Sequence, residues 1–301
     1  FSDKHPKKSK FADYLWDIEQ TNDTTFWIAT YEGLIQFNPE TGNFKFIGQG
    51  IDDNNKFQHR YIWDIEVISD TVLYIGTLKG LSEFITTSLK VKNYSFDNPN
   101  DISVNNVFKI YKDQSALWIG TKGGLIKAEL YIKTYQIYTN NINNLNSISN
   151  NNVWSIYKDR FGTLWIGTDI GLNSFDPSRN KFFSISALNE FNGERITNNH
   201  INCIIKDKFD NLYIGTSNGL NILNNNLILK TIRLENISNA LPSNYISHLL
   251  EDSYGRIWIG TSEGLSFYYP EKNKFETKNF FKEGKLNLTN NRITCILESE
   301  P

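Results

Sequence analysis

The side chains with the widest chemical reach are few and widely spread in this chain. The four histidines are His5, His59, His200 and His248. They fall far apart and show none of the short ligand spacings of a metal site. The two cysteines, Cys203 and Cys295, are too few for a disulfide framework. Buried apolar thiols are the expected state for both, not nucleophiles. No Walker loop or His-Glu-x-x-His occurs. Asp52 with Asp53, and Asp17 with Asp64, read as turn or strand-end residues. The nearest acid–base pair is His200 with Asp169, which a lyase or hydrolase could use. The expectation is a domain with no catalytic residue, no metal and no cofactor.

What must position any such group is a repeated unit. Six segments align without gaps, from Trp27-Ile28-Ala29-Thr30 and Tyr74-Ile75-Gly76-Thr77 to Trp258-Ile259-Gly260-Thr261. Each is followed at one offset by Gly-Leu, as in Gly33-Leu34 and Gly264-Leu265. The Thr positions 30, 77, 121, 168, 216 and 261 are spaced by 47, 44, 47, 48 and 45. A period in the forties made of short strands predicts β-propeller blades. Within one unit the strands are expected at 153–157, 164–168, 172–175 and 181–185. The Trp or Tyr fills the wedge between blades, and the third-position Gly admits a close neighbour. The Thr makes a local bond at the strand end, and the later Gly makes the turn. All seven Trp fall in repeat register and read as core, with Trp16, Trp63 and Trp154 nearest the channel wall.

The first strand recurs seven times, at Leu15, Ile62, Val107, Val153, Ile201, Ile246 and Ile293. This predicts an all-β propeller of four-stranded antiparallel blades over 1–301, with six complete repeats and the first strand of a seventh. The repeats open near 14, 61, 106, 152, 200, 245 and 292. Residues 1–12 could add to the incomplete blade. Thr139 to Asn152, rich in Asn, becomes a long loop between blades. The net charge of -2 gives no electrostatic case for nucleic acid. The chain opens at Phe1 and has no Met, so a piece of a longer protein is expected.

Leu164 to Pro177, with Asn151 to Ile156, resembles the two-component regulator propeller repeat. So does Ile257 to Pro270 with Leu241 to Ile246. The resemblance implies an extracytoplasmic sensor region of a bacterial hybrid two-component protein. In that family the propeller is usually seven-bladed and often paired with a second. An immunoglobulin-like domain, a membrane helix and an output module typically follow, and several members respond to oligosaccharides. The implied partners are an oligosaccharide or other small ligand, the rest of the polypeptide, and a second copy in a homodimer. A protein-interaction scaffold is the alternative. Ala29 in place of Gly, and the missing Asp-Pro of the second unit, depart from the pattern.

Propeller geometry places candidate ligand contacts just before each first strand. These are Tyr14, Tyr61, Asn106, Asn152, His200, Tyr245 and Arg292. A second set lies in the Thr-x-x-Gly turns: Glu32, Lys79, Lys122, Asp169, Asn218 and Glu263, with Tyr31, Ser217 and Ser262 beside them. These positions vary from copy to copy on a shared scaffold, as a grafted site would. Aromatic faces mixed with amides, a His and an Arg suit a sugar.

Overall fold

The structure is a computed structural model. It describes residues 14–22, 24–47, 56–97, 102–114, 116–129, 132–176, 180–188, 194–224, 229–234, 241–278 and 291–299. Residues 1–12, and Asp52 with Asp53, lie outside that set.

Six four-stranded antiparallel sheets form, each with its strands in chain order. The first blade is β1 (Leu15–Asn22), β2 (Thr25–Thr30), β3 (Gly33–Asn38) and β4 (Asn43–Ile47). The second is β5 (Ile62–Ser69), β6 (Val72–Thr77), β7 (Gly80–Ile85) and β8 (Lys90–Tyr94). The third is β9 (Val107–Asp113), β10 (Ala116–Thr121), β11 (Gly124–Glu129) and β12 (Tyr135–Tyr138). The fourth is β13 (Val153–Lys158), β14 (Leu164–Thr168), β15 (Gly171–Asp176) and β16 (Lys181–Ile185). The fifth is β17 (Ile201–Lys206), β18 (Leu212–Thr216), β19 (Gly219–Leu223) and β20 (Leu229–Ile232). The sixth is β21 (Ile246–Glu251), β22 (Ile257–Thr261), β23 (Gly264–Tyr269) and β24 (Lys274–Lys278). Two compact units result, one holding the first three blades and the other the last three apart from Val153.

The signature residues do what their chemistry requires. In all six blades the Thr hydroxyl donates to the carbonyl of the turn Gly, from Thr30 on Gly33 (2.8 Å) to Thr261 on Gly264 (2.8 Å). The same oxygen accepts the amide two residues on, as from Glu32 (3.1 Å) and Ile170 (3.1 Å). The turn is thus closed without side chains from its two variable positions. Gly171 holds φ 105°, and a Cβ there would meet the Ile185 carbonyl oxygen at 2.4 Å. The third-position Gly serves a different end. A Cβ on Gly215 would lie 2.7 Å from Ile246 of the next blade, and one on Gly76 would lie 2.9 Å from Val107. Ala29 fits there with no exposure. Trp27, Tyr74, Trp118 and Tyr213 are buried; Trp165 and Trp258 are half-buried. These two give their indole N–H to Asp159 (3.0 Å) and Asp252 (2.7 Å), the carboxylates that also hold the preceding turns.

Two expectations change. Residues 291–299 form no strand, because among the described residues no second strand offers a ladder to them. They still occupy a first-strand position: Ile293 N–H bonds the Thr261 carbonyl (2.9 Å), and Glu298 accepts from the Ser253 amide. Glu251, at the equivalent place, accepts from the Lys208 amide in the same way. Of the turn and strand-end readings of Asp17 and Asp64, the second holds, but their role differs from a local one. Each is buried on a first strand and takes an amide of the next one, Ile65 (2.9 Å) and Ile110 (2.6 Å). These carboxylates tie successive blades together.

Candidate functional site

A β-bulge near the start of the first strand sets the geometry. The register slips between Leu15 and Asp17, Ile62 and Asp64, Val107 and Lys109, Ile201 and Cys203, and Ile246 and His248. The residue left over is Trp16, Trp63, Phe108, Asn202 or Ser247. A bulge re-aims its extra side chain, which is why bulges gather at binding sites. Beside it lies the variable turn of the same blade. The turn's first amide bonds the carbonyl of the residue just before the first strand: Tyr31 to Tyr14 (3.3 Å), Lys122 to Asn106 (3.0 Å), Ser217 to His200 (3.2 Å) and Ser262 to Tyr245 (3.2 Å). The residue at the second place of the first strand, a turn residue and the entry residue of the next blade meet at one junction in each unit.

In the first unit this produces an aromatic cluster. Tyr31 lies against Tyr61 (centroids 4.3 Å) and Trp16 (5.8 Å), and Trp16 lies 4.4 Å from Trp63. Tyr14 meets Tyr31 edge-on at 5.9 Å and is 53% exposed. The Arg60 guanidinium sits 5.3 Å over Tyr61 and pairs with the buried Glu32 at 3.6 Å. His59 packs edge-on against Tyr61, with its pKa lowered by burial and by Lys79 and Arg60. In the second unit the same three places hold Trp154, Asp169 and His200. One Asp169 oxygen accepts from the Trp154 indole (2.7 Å) and lies 2.6 Å from His200 Nδ1. Lys79, Lys122, Glu263 and Arg292 are exposed, and Asn106, Asn152, Asn218 and Tyr245 are half-buried.

Further along the first strands of the first unit lies a charged network that the motifs did not announce. Lys109 Nζ meets Asp64 at 2.5 Å, and Glu66 accepts the Lys112 amide at 3.0 Å. Burial raises the Asp64 and Glu66 pKa values against the pull of Lys109. Glu19 is pushed up to about 8 by burial and by Asp17. Cys203 and Cys295 are half-buried and not joined in a disulfide, and burial raises the Cys203 thiol.

Residues 147–169, 195–218 and 240–263 match the model of the two component regulator propeller. Each match runs from an entry loop to a Thr-x-x-Gly turn. Those three stretches are similar to that repeat. The propeller also matches the extracellular domain of the one component system BT4673 from B. thetaiotaomicron. That match has a TM-score of 0.76 and 21% identity, and covers 96% of this chain and 36% of the other. A second structure of that extracellular domain, there assigned to a hybrid two component system, gives a TM-score of 0.74 at 21% identity, covering 97% and 36%. The chain therefore spans about a third of their length. Virginiamycin B lyase from Staphylococcus aureus matches at a TM-score of 0.65 and 12% identity, covering 90% and 86%. At such identities the likeness is one of fold. No curated protein matches the sequence. In fold the chain is like those extracellular domains.

Proposed function

We propose that this domain is the non-catalytic, extracytoplasmic input of a membrane-anchored bacterial signalling protein, and that it receives an oligosaccharide. The observation that carries this is the Trp16–Tyr31–Tyr61 cluster. Three aromatic side chains converge beside an exposed Tyr14, edged by the Arg60–Glu32 pair. Aromatic faces cover the apolar side of a pyranose, and the charged edge bonds its hydroxyls. The signal would pass to the rest of the polypeptide: a second propeller, an immunoglobulin-like domain and an output module. Calorimetry against a panel of defined oligosaccharides tests this. A member that binds, with about tenfold loss on Tyr31→Ala, supports it. A panel in which nothing binds refutes the ligand class.

A second reading, an interaction scaffold or homodimer, draws on the opposite ends of the first strands. There Phe161, Phe209 and Tyr254 are 70%, 42% and 79% exposed in successive turns of the second unit. A sedimentation shift that vanishes when all three become Ser supports it. A monomer at high concentration, with no affinity for the rest of its own polypeptide, counts against it.

A further inference from the structure

The entry loop of the second blade departs from the pattern of the other blades. In three of them the residue two places before the first strand is an asparagine that pins the loop. Asn105 takes the Phe96 amide (2.8 Å), Asn199 the Ala187 amide (2.6 Å) and Asn244 the Leu234 amide (2.8 Å). In the second blade Gln58 holds the loop instead, donating to the Tyr94 carbonyl (3.3 Å) and the Ser95 hydroxyl (3.1 Å). Arg60 stands where the asparagine would be. One place earlier, Asn198 and Ser243 accept the amide of the entry residue, from His200 (2.8 Å) and Tyr245 (3.2 Å). His59 does the same for Tyr61, through Nδ1 at 3.0 Å. An amide only donates, so Nδ1 carries no proton and the neutral imidazole holds its proton on Nε2. Burial, Lys79 and Arg60 all favour that neutral form. The loop asks only for an acceptor here, and the imidazole adds a donor. Among the described residues, His59 Nε2 and the Lys79 ammonium meet no acceptor, and Arg60 reaches only Glu32, at 3.6 Å, beyond hydrogen-bond length.

We infer that this junction binds an anionic sugar, whose carboxylate or sulfate is received by Arg60, Lys79 and the His59 Nε2–H beside Tyr31 and Tyr61. The class follows from the donor set. The hydroxyls of a neutral sugar both give and accept, and would call for acceptors as well as donors. The carboxylate paired at this junction is Glu32, and it is buried. An ionised carboxylate or a sulfate only accepts, which suits three donors that lack acceptors. Two of the three are cations, and bonds between ionised partners are the strong ones. The two charged groups that act on the imidazole are both positive, so an anion meets a favourable field. Arg60 lies 5.3 Å over the Tyr61 ring and His59 packs edge-on against it at 4.6 Å, so the donors adjoin the aromatic cluster. The inference deepens the oligosaccharide reading, on which it rests for the ring, by giving the ligand a charge.

Nitrogen NMR of the protein with labelled histidine, its His59 signals assigned through His59→Gln, is the test. Without ligand the expected spectrum shows His59 with Nδ1 bare and Nε2 protonated; the reverse tautomer overturns the inference. Glucuronate, glucose 6-sulfate and methyl β-glucoside are then titrated at one ionic strength. A saturable shift of the His59 Nε2 signal is expected with at least one of the two anionic sugars. A response to glucuronate alone assigns a carboxylate, and to the sulfate ester alone a sulfate. Methyl β-glucoside should bind about tenfold more weakly or not at all. Lys79→Gln and Arg60→Gln change exposed side chains and should each weaken the anionic sugar about tenfold, the worth of one charge-assisted bond. No shift with either anion, the same affinity for inorganic sulfate, equal binding of the neutral glucoside, or unchanged affinity in both variants overturns the inference. The two readings fail separately. If only neutral oligosaccharides of the panel bind, the sensor reading stands and the anionic class falls. If glucuronate moves His59 while no oligosaccharide binds, the anion site stands and the oligosaccharide reading falls.

Discussion

Asp207→Ala should loosen the fifth blade by about 3–5 kcal/mol, and the structure shows why. Asp207 is 3% exposed. One oxygen accepts the amides of Phe209 and Asn211, both at 2.9 Å. The other accepts the Asn211 side-chain amide and the Tyr213 hydroxyl, both at 2.8 Å. Water can replace the turn contacts in part, but Tyr213 has no exposure and its hydroxyl would be orphaned. A buried unpaired donor costs about 1–3 kcal/mol, and each bond to a charged group is worth about 1.5–3. Asp207→Asn keeps the two amide contacts and should cost about 1–2 kcal/mol. Tyr213→Phe removes the group that would be orphaned, so the double variant with Asp207→Ala should be milder than the sum by about 1–2 kcal/mol. Hydrogen exchange of β17 and β18 amides is the suitable assay, because stacked repeats open locally. Should Asp207→Ala not fold, Asp207→Asn and Tyr213→Phe still give the comparison. An opening free energy for Asp207→Ala within about 0.5 kcal/mol of the parent, or an additive cycle, would refute the brace.

Gly171→Ala should lower the melting temperature far more than Gly42→Ala. Both glycines have positive φ, but only the first would press a Cβ against backbone, and equal effects would discount the close approach. Glu19, with its pKa at about 8, keeps a proton on folding that the unfolded chain releases. Its contribution should therefore fall as pH rises from the ordinary carboxylate range to about 8, and Glu19→Gln should flatten that slope in urea unfolding. Asp159 and Asp252 behave oppositely. Burial raises them, but bonds from Trp165 and Lys206, and from Trp258 and Arg256, outweigh it and leave both lowered. Their stabilisation is present above the ordinary carboxylate range and lost as pH falls through the lowered values, a limb that Asp159→Asn should reduce. Cys203 should react with a disulfide reagent far more slowly in the folded protein than after denaturation, since burial raises its thiol.

The scaffold was legible because its residues repeat for backbone reasons. First strands expected at Leu15, Ile62, Val107, Val153, Ile201 and Ile246 begin there, and Leu164–Thr168 and Lys181–Ile185 match to the residue. The bulges were not legible. An extra residue on one strand leaves no mark in composition, and Trp16 and Trp63 look like ordinary alternation. Asp17 and Asp64 did carry a cue: they lie 47 residues apart, the spacing of Thr30 and Thr77, so they share one place in the repeat. A shared place at a strand start points to a bond between blades more than to two separate turns. The sites were half legible for the same reason. The Thr hydroxyl and the Gly carbonyl close every turn, and in four blades a backbone bond docks it on the entry residue. The side chains at bulge, turn and entry are thereby released from structural duty. One junction can then hold Trp16, Tyr31 and Tyr61, and another Trp154, Asp169 and His200, at equivalent places of the repeat. Sequence shows which positions vary. Only the packing of one blade's bulge and turn against the next blade's entry shows which of them act together.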